Sequence, residues 1–204
     1  MRPTDSIRRA IDVAAGVAGL VVLSPILVAA AIATRVGVGP GVIYRQRRLG
    51  LGGHPFELLK FTSMRAPAPG REAPEFDAER ITRVGGWLRA TSLDELPSLW
   101  NLVRGDITLV GPRPLPVHYW DRFRGAEYER FEVRPGITGL AQVNGRNVLD
   151  WPERLALDVD YVRGRSIAGD ARILSRTVSV VLGRDGVDQA DGVTMRELPA
   201  DRPA

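Results

Sequence analysis

Residues 13–33 read VAAGVAGLVVLSPILVAAAIA, with no charged side chain among them. At about 1.5 Å of rise per residue, a straight helix of this length matches a bilayer core of about 30 Å. Ser24-Pro25 in the middle predicts a bend, because proline removes one helical hydrogen bond and crowds the preceding turn. Arginines flank both ends, with Arg2, Arg8 and Arg9 before the run and Arg35, Arg45, Arg47 and Arg48 after it. Positive residues hold a segment end on the cytoplasmic side. Both ends are therefore expected on one face, with the helix entering a single leaflet, turning at Ser24-Pro25 and returning. The serine hydroxyl is suited to a carbonyl that the proline frees. A cleaved secretory signal competes with this reading, given the basic start and the small-residue Ala31-Ile32-Ala33. Asp12 at the head of the run and Pro25 inside it count against that alternative.

Outward from this segment the patterning becomes that of a folded domain. Val42 to Arg47 and Phe56 to Phe61 read as short strands joined by the glycine-rich Leu49-Gly50-Leu51-Gly52-Gly53, a hairpin. Ala66 to Glu75, dense in proline, reads as a loop. Helical spacing follows at about Thr82–Arg89, Ser92–Val103, Val117–Phe131, Asp150–Arg163 and Ile167–Leu182. In the last of these, Ile167, Ala171, Leu174, Val178 and Val181 form an apolar stripe, with Arg165, Arg172 and Arg176 off it. Such a stripe suits a membrane interface or a core-facing helix. The fold class expected is α+β: a re-entrant helix-break-helix over 1–38, one compact, mostly helical domain with a short β-hairpin and amphipathic interfacial helices over 39–186, and a mobile polar tail over 187–204.

The chain of 204 residues has room for one domain with a proper core. It contains no cysteine, which removes disulfides, thiolate metal sites and cysteine nucleophiles. A net charge of +4 and a pI near 10.1 ask for an acidic partner, such as nucleic acid, anionic lipid or a phosphorylated substrate. The basic residues are arginines except for a single lysine, Lys60.

The stretch most loaded with chemistry is residues 89–114, RATSLDELPSLWNLVRGDITLVGPRP, centred on Asp94-Glu95. Ser92 with Glu95 three residues later is a capping-box signature, which puts both carboxylates in the first turn of a helix, with Asp94 as an alternative N-cap. Acidic residues at a helix start also occur for stability alone. Arg89, Arg104 and Arg113 bracket the pair and are expected to keep a nucleophilic carboxylate ionised while neutralising a phosphate. Glu95 is suited to Mg²⁺. Gly111-Pro112-Arg113-Pro114 is expected to present Arg113 on a rigid turn, and Arg134-Pro135-Gly136 to do the same for Arg134.

With these residues in view, the chain resembles the small monotopic phosphoglycosyl transferases, also called the bacterial sugar transferase family, over about Ser6 to Gly186. The motifs that carry the likeness are Gln46 to Met64 (QRRLGLGGHPFELLKFTSM), Arg80 to Pro114, Arg134 to Arg146 (RPGITGLAQVNGR) and Leu157 to Val162 (LDVDYV). The resemblance implies that Asp94 attacks the β-phosphorus of a UDP-sugar and expels UMP, and that a polyprenyl (undecaprenyl) phosphate then takes the sugar phosphate, beginning polysaccharide or glycoconjugate assembly. It implies Glu95 as the Mg²⁺ ligand, Arg89 and Arg113 among the phosphate-binding residues, and Lys60, Gln142 and Asp158 also at the site. It further implies a helix broken at Ser24-Pro25 and a monotopic protein of the bacterial inner membrane, its catalytic domain facing the cytoplasm. Two positions depart from the family pattern: Thr62 stands where arginine is usual, and His54 replaces a usual basic residue.

The partners expected are thus a UDP-sugar, a polyprenyl phosphate and membrane lipids, with a homodimer open and no nucleic acid, since no recognition motif accompanies the basic charge. The rival reading is a non-catalytic, membrane-bound basic scaffold of polysaccharide assembly.

Overall fold

The computed structural model describes residues 4–70, 76–145, 149–183 and 197–199. Two helices open the chain, α1 (Thr4–Val22) and α2 (Ser24–Gly37), bent by 65° at the break between them. Pro25 lies in the first turn of α2, where it has no hydrogen bond to lose. Ser24 Oγ donates to the Val21 carbonyl at 2.7 Å, so the serine fills the role expected of it. Among the described residues no single helix is long and apolar enough to cross a membrane, although the bent pair together is.

The basic flank of α1 is built into the folded body. Arg8 Nε donates to Asp170 Oδ2 at 2.6 Å, and Arg9 donates to the carbonyls of Leu102 and Val103 at 2.7 and 2.5 Å. Asp12 Oδ1 accepts the Leu109 N–H at 2.9 Å. Farther along, a Cβ on Gly16 would come within 2.8 Å of Val103, so α1 lies close against a neighbouring helix because glycine leaves room there.

Strands β1 (Ile43–Leu49) and β2 (Pro55–Phe61) form the expected antiparallel hairpin, in register from Ile43 opposite Phe61 to Leu49 opposite Pro55. A short α3 (Asp77–Arg80) precedes α4 (Arg83–Ala90), whose N-cap Thr82 accepts from the Gly85 N–H. Then come α5 (Ser98–Arg104), β3 (Thr108–Val110), β4 (Gly136–Thr138), α6 (Leu140–Val143), α7 (Trp151–Gly164) and α8 (Ile167–Gly183). The two short strands pair in parallel, Thr108 opposite Gly136 and Val110 opposite Thr138. Sequence patterning did not reveal this pair, since three-residue strands carry no readable alternation.

Three expectations need correction. The helix expected over Ser92–Val103 is a 3₁₀ turn at Leu93–Glu95 followed by α5, and the capping box does not form: Ser92 is left-handed (φ 56°) and its side chain caps nothing. The helix expected over Val117–Phe131 is two 3₁₀ segments, Val117–Arg122 and Gly125–Glu132, because the chain turns extended at Phe123 and Arg124 and Gly125 takes a positive φ. In α8 the inward face is Asp170, Ile173, Leu174 and Thr177, so of the expected stripe Leu174 faces inward while Ile167, Ala171 and Val178 are exposed, and the side chain of Val181 lies outside those described.

One core cluster joins Leu49, Leu115, Tyr119, Phe123, Phe131, Trp151, Leu155 and Leu198. Leu198 is fully buried, and Arg122 Nη1 donates to its carbonyl at 2.6 Å. Leu198 falls in the range 187–204 expected as a polar tail and is core, while 187–196 and 200–204 lie outside the described residues. A second cluster, Val110, Val133, Val143, Tyr161, Val162 and Ile173, packs the parallel strands against α7 and α8.

Candidate active site

Lys60, next to the last residue of β2, points at the turn that carries Asp94 and Glu95. Its Nζ lies 2.7 Å from Glu95 Oε1, and Arg113 Nη2 reaches the same oxygen at 2.9 Å. Asp94 is buried beside them. The left-handed Ser92 makes this arrangement: α4 ends with Thr91 Oγ1 donating back to the Trp87 carbonyl at 2.8 Å, the chain reverses, and the two carboxylates follow on a tight turn. Residues of this kind in sparsely populated backbone conformations concentrate at functional sites.

Asn101 joins the pieces. Fully buried on α5, it accepts the Leu59 N–H at 2.9 Å and donates to the Glu57 carbonyl at 2.7 Å and to Asp106 Oδ2 at 2.8 Å. It therefore holds β2, and with it Lys60, at a set distance from the helix that follows Glu95.

The charges act strongly on one another. Glu95 is held well below the usual carboxylate range, first by the Arg113 guanidinium and then, against the cost of desolvation, by Lys60. Burial lowers the Lys60 amine while Glu95 opposes that shift. Asp94 goes the other way: desolvation first and the negative charge of Glu95 second raise it, and Lys60, Arg89 and Arg113 offset only part. Arg89 and Arg113 favour its ionised form, but burial and a like charge outweigh them in the direction of the shift.

Arg89 sits in the last turn of α4, with Nε donating to Ser63 Oγ at 3.0 Å, and its charge reaches Asp94. Arg104 and Arg134 do not join the site. Arg104 lies at the far end of α5, 3.4 Å from Asp106, and Arg134 Nε donates to the Gly105 carbonyl at 2.8 Å. Arg48, counted in the sequence only as part of a positive flank, lines a cavity of about 20 Å³ together with Lys60, Glu95, Ser98 and Arg113. That space suits about one water molecule. Burial and the neighbouring Arg113 lower the Arg48 guanidinium to about 10.

Gln142 lies on α6, and both its amide atoms are buried without a hydrogen-bond partner among the described residues. Groups left this way ask for water or a ligand. Asp158, on α7, is 2% exposed and ion-paired with Arg130, so it stands behind Arg113 rather than in the cavity wall. Thr62 Oγ1 bonds the Gly41 carbonyl at the hairpin edge. No group of three or more histidine or acidic residues placed to hold a metal occurs among the described residues.

The family model described as Bacterial sugar transferase matches residues 3–184. The chain belongs to the bacterial sugar transferase family. This sugar transferase is 39% identical over 188 residues to an uncharacterized sugar transferase, EpsL, of Bacillus subtilis (strain 168), covering 92% of this chain and 93% of that one. A Caulobacter vibrioides protein named UDP-glucose:undecaprenyl-phosphate glucose-1-phosphate transferase is 40% identical over 188 residues, 87% of this chain and 70% of that one. The Escherichia coli (strain K12) protein of the same name is 37% identical over 183 residues, 84% of this chain but 39% of its own. The protein is an enzyme, a transferase. In this sugar transferase the four cations Arg48, Lys60, Arg89 and Arg113 face two carboxylates, an excess of positive charge that suits a ligand carrying several negative charges.

Proposed function

We propose that this sugar transferase moves a sugar phosphate from a UDP-sugar to undecaprenyl phosphate, releasing UMP, through a covalent intermediate on Asp94. The observation that carries the reading is the convergence of a buried carboxylate with Lys60, Glu95, Arg89 and Arg113. In the first step an Asp94 oxygen bonds the β-phosphorus while the bond from that phosphorus to the oxygen bridging the two phosphates breaks, and UMP leaves with the electron pair. In the second step an oxygen of undecaprenyl phosphate attacks the same phosphorus and the Asp94 carboxylate leaves. No general base is needed for either ionised nucleophile. The names of the Caulobacter and Escherichia relatives support the substrate classes.

Burial and Glu95 raise the basicity of Asp94, and a more basic oxygen is the stronger nucleophile once ionised. Arg113 and Lys60 are placed to stabilise charge on the transferring phosphoryl group. Mg²⁺ suits one or two carboxylates together with substrate phosphates. Glu95 fits that role: its Oε1 takes Lys60 and Arg113, while Oε2 accepts no hydrogen bond among the described residues. Such an ion would neutralise charge on the phosphate oxygens.

The bent helix pair is proposed as a re-entrant membrane anchor, with the catalytic domain on the cytoplasmic face of the bacterial inner membrane. Arg8 and Asp12 tie the start of α1 to the domain, and Gly37 at the end of α2 packs against Val84. Both ends therefore return to the same body. The bend between them exposes Val21, Val22, Ile26 and Val28.

The test is incubation of detergent-solubilised protein with a panel of UDP-sugars, Mg²⁺ and undecaprenyl phosphate. UMP is expected, and UDP as the product would overturn the reading in favour of ordinary glycosyl transfer.

A further inference from the structure

Arg113 lies on a segment in which four successive carbonyls are each claimed. Pro112 C=O accepts from the Gly136 N–H at 2.9 Å and Leu115 C=O from the Leu49 N–H at 2.8 Å. Between them, the two carbonyls that no neighbouring backbone reaches are taken by arginine side chains. Arg130 Nη2 donates to the Arg113 carbonyl at 2.8 Å, and Arg48 Nη1 to the Pro114 carbonyl at 3.0 Å.

Arg130 is 3% exposed, and its guanidinium stands 5.3 and 5.1 Å from the ring centres of Phe123 and Phe131. Its charge is met by Asp158, whose Oδ2 accepts from Nε at 3.1 Å and from Nη2 at 2.8 Å. An enclosed ion pair of this kind is a poor source of stability, because desolvation offsets the Coulomb gain and well-packed apolar side chains often do as well. What apolar side chains cannot supply is a donor for the Arg113 carbonyl.

We infer that Arg130 is a positioning residue, held in place and neutralised by Asp158, that fixes the backbone of Arg113 so that its guanidinium meets Glu95 and the donor phosphates. Asp158 then serves the reaction from behind the site and touches no substrate. The geometry requires a planar fork: one edge of Arg130 binds the carboxylate while Nη2 also reaches the carbonyl, and a lysine offers no such fixed pair of directions.

The inference rests on the proposed role of Arg113 at phosphate, and the test separates the two. Arg130→Met/Asp158→Leu and, independently, Arg130→Lys are made in the wild-type and in the Arg113→Ala background. Melting temperature, UMP release and affinity for inorganic pyrophosphate are measured for each. In the wild-type background kcat/KM and pyrophosphate affinity should fall by about tenfold to a hundredfold, the scale of a misplaced positioning group, with the fold retained. In the Arg113→Ala background the same substitutions should change pyrophosphate affinity less than twofold. Equal losses in both backgrounds would overturn the inference, as would a folded variant with unchanged affinity; Arg130→Lys decides the matter if the double variant does not fold. Pyrophosphate binding that depends on Arg113 and Arg130 in a protein that releases no UMP would leave the positioning standing and sink the proposed reaction.

Discussion

Lys60 Nζ lies 2.7 Å from Glu95 Oε1, so the single lysine of the chain holds one of the two adjacent carboxylates while the other, Asp94, stays buried beside them. The pair separates two acids that are neighbours in sequence: Glu95 is kept ionised and Asp94 is made more basic.

Asp94 is expected to carry the sugar phosphate. Enzyme mixed with UDP-sugar and Mg²⁺ without lipid acceptor, then denatured and examined by mass spectrometry, should gain one sugar phosphate on this side chain. Asp94→Asn should gain nothing and should release UMP at least a thousandfold more slowly, about the loss seen when a covalent nucleophile is removed. Normal turnover by that variant would remove the assignment.

The pH dependence follows from the direction of the Asp94 shift. A carboxylate attacks only when ionised, so UMP release falls as pH drops through its value in the folded enzyme. Burial and Glu95 place that value above the ordinary 3.8, and the acid limb should lie correspondingly high. Lys60 lowers the Asp94 value, so Lys60→Met should move the limb to higher pH as well as slow the reaction. A limb that stays put or moves down would show that a group other than Asp94 is titrating.

Asn101 is expected to matter for stability more than its polar side chain suggests. Asn101→Ala leaves the Leu59 N–H and the Glu57 carbonyl without their partner, and loss of such buried bonds costs about 2–4 kcal/mol in total. Denaturant unfolding should register that loss, and UMP release should drop because β2 no longer holds Lys60. A change below about 0.5 kcal/mol, the range of ordinary surface substitutions, would show that the link is idle.

Leu198→Ala should destabilise the enzyme by about 2–5 kcal/mol, the range for emptying a leucine site in a packed core. The residue is fully buried among Leu49, Leu115 and Tyr119. A thermal melt indistinguishable from wild type would place this residue outside the core.

Because the chain has no cysteine, single reporters can be introduced cleanly. Cysteines at the exposed Ser6 and Arg47 should both react with a membrane-impermeant reagent from the cytoplasmic side. Labelling from opposite sides would reject the re-entrant helix.

Features set by near neighbours were legible in the sequence. Proline interrupts a helix that would otherwise run through it, and the apolar run with Ser24-Pro25 became a bent pair with the serine on a local carbonyl. The glycine-rich turn closed the hairpin, and the helix expected from Asp150 begins there, with Asp150 as its N-cap. Asp94, Glu95, Lys60, Arg89 and Arg113 could be named because the resemblance to a family and the local charge both pointed to them. Their geometry was not legible. Lys60 and Glu95 are 35 positions apart and Arg113 and Glu95 are 18, and such separations close only when strands and helices pack. The same packing set Arg104 and Arg134 apart from Glu95, drew in Arg48, and paired Asp158 with Arg130. It also raised the Asp94 carboxyl above its ordinary value, because a pKa depends on how much water burial removes, a quantity that exists only in three dimensions.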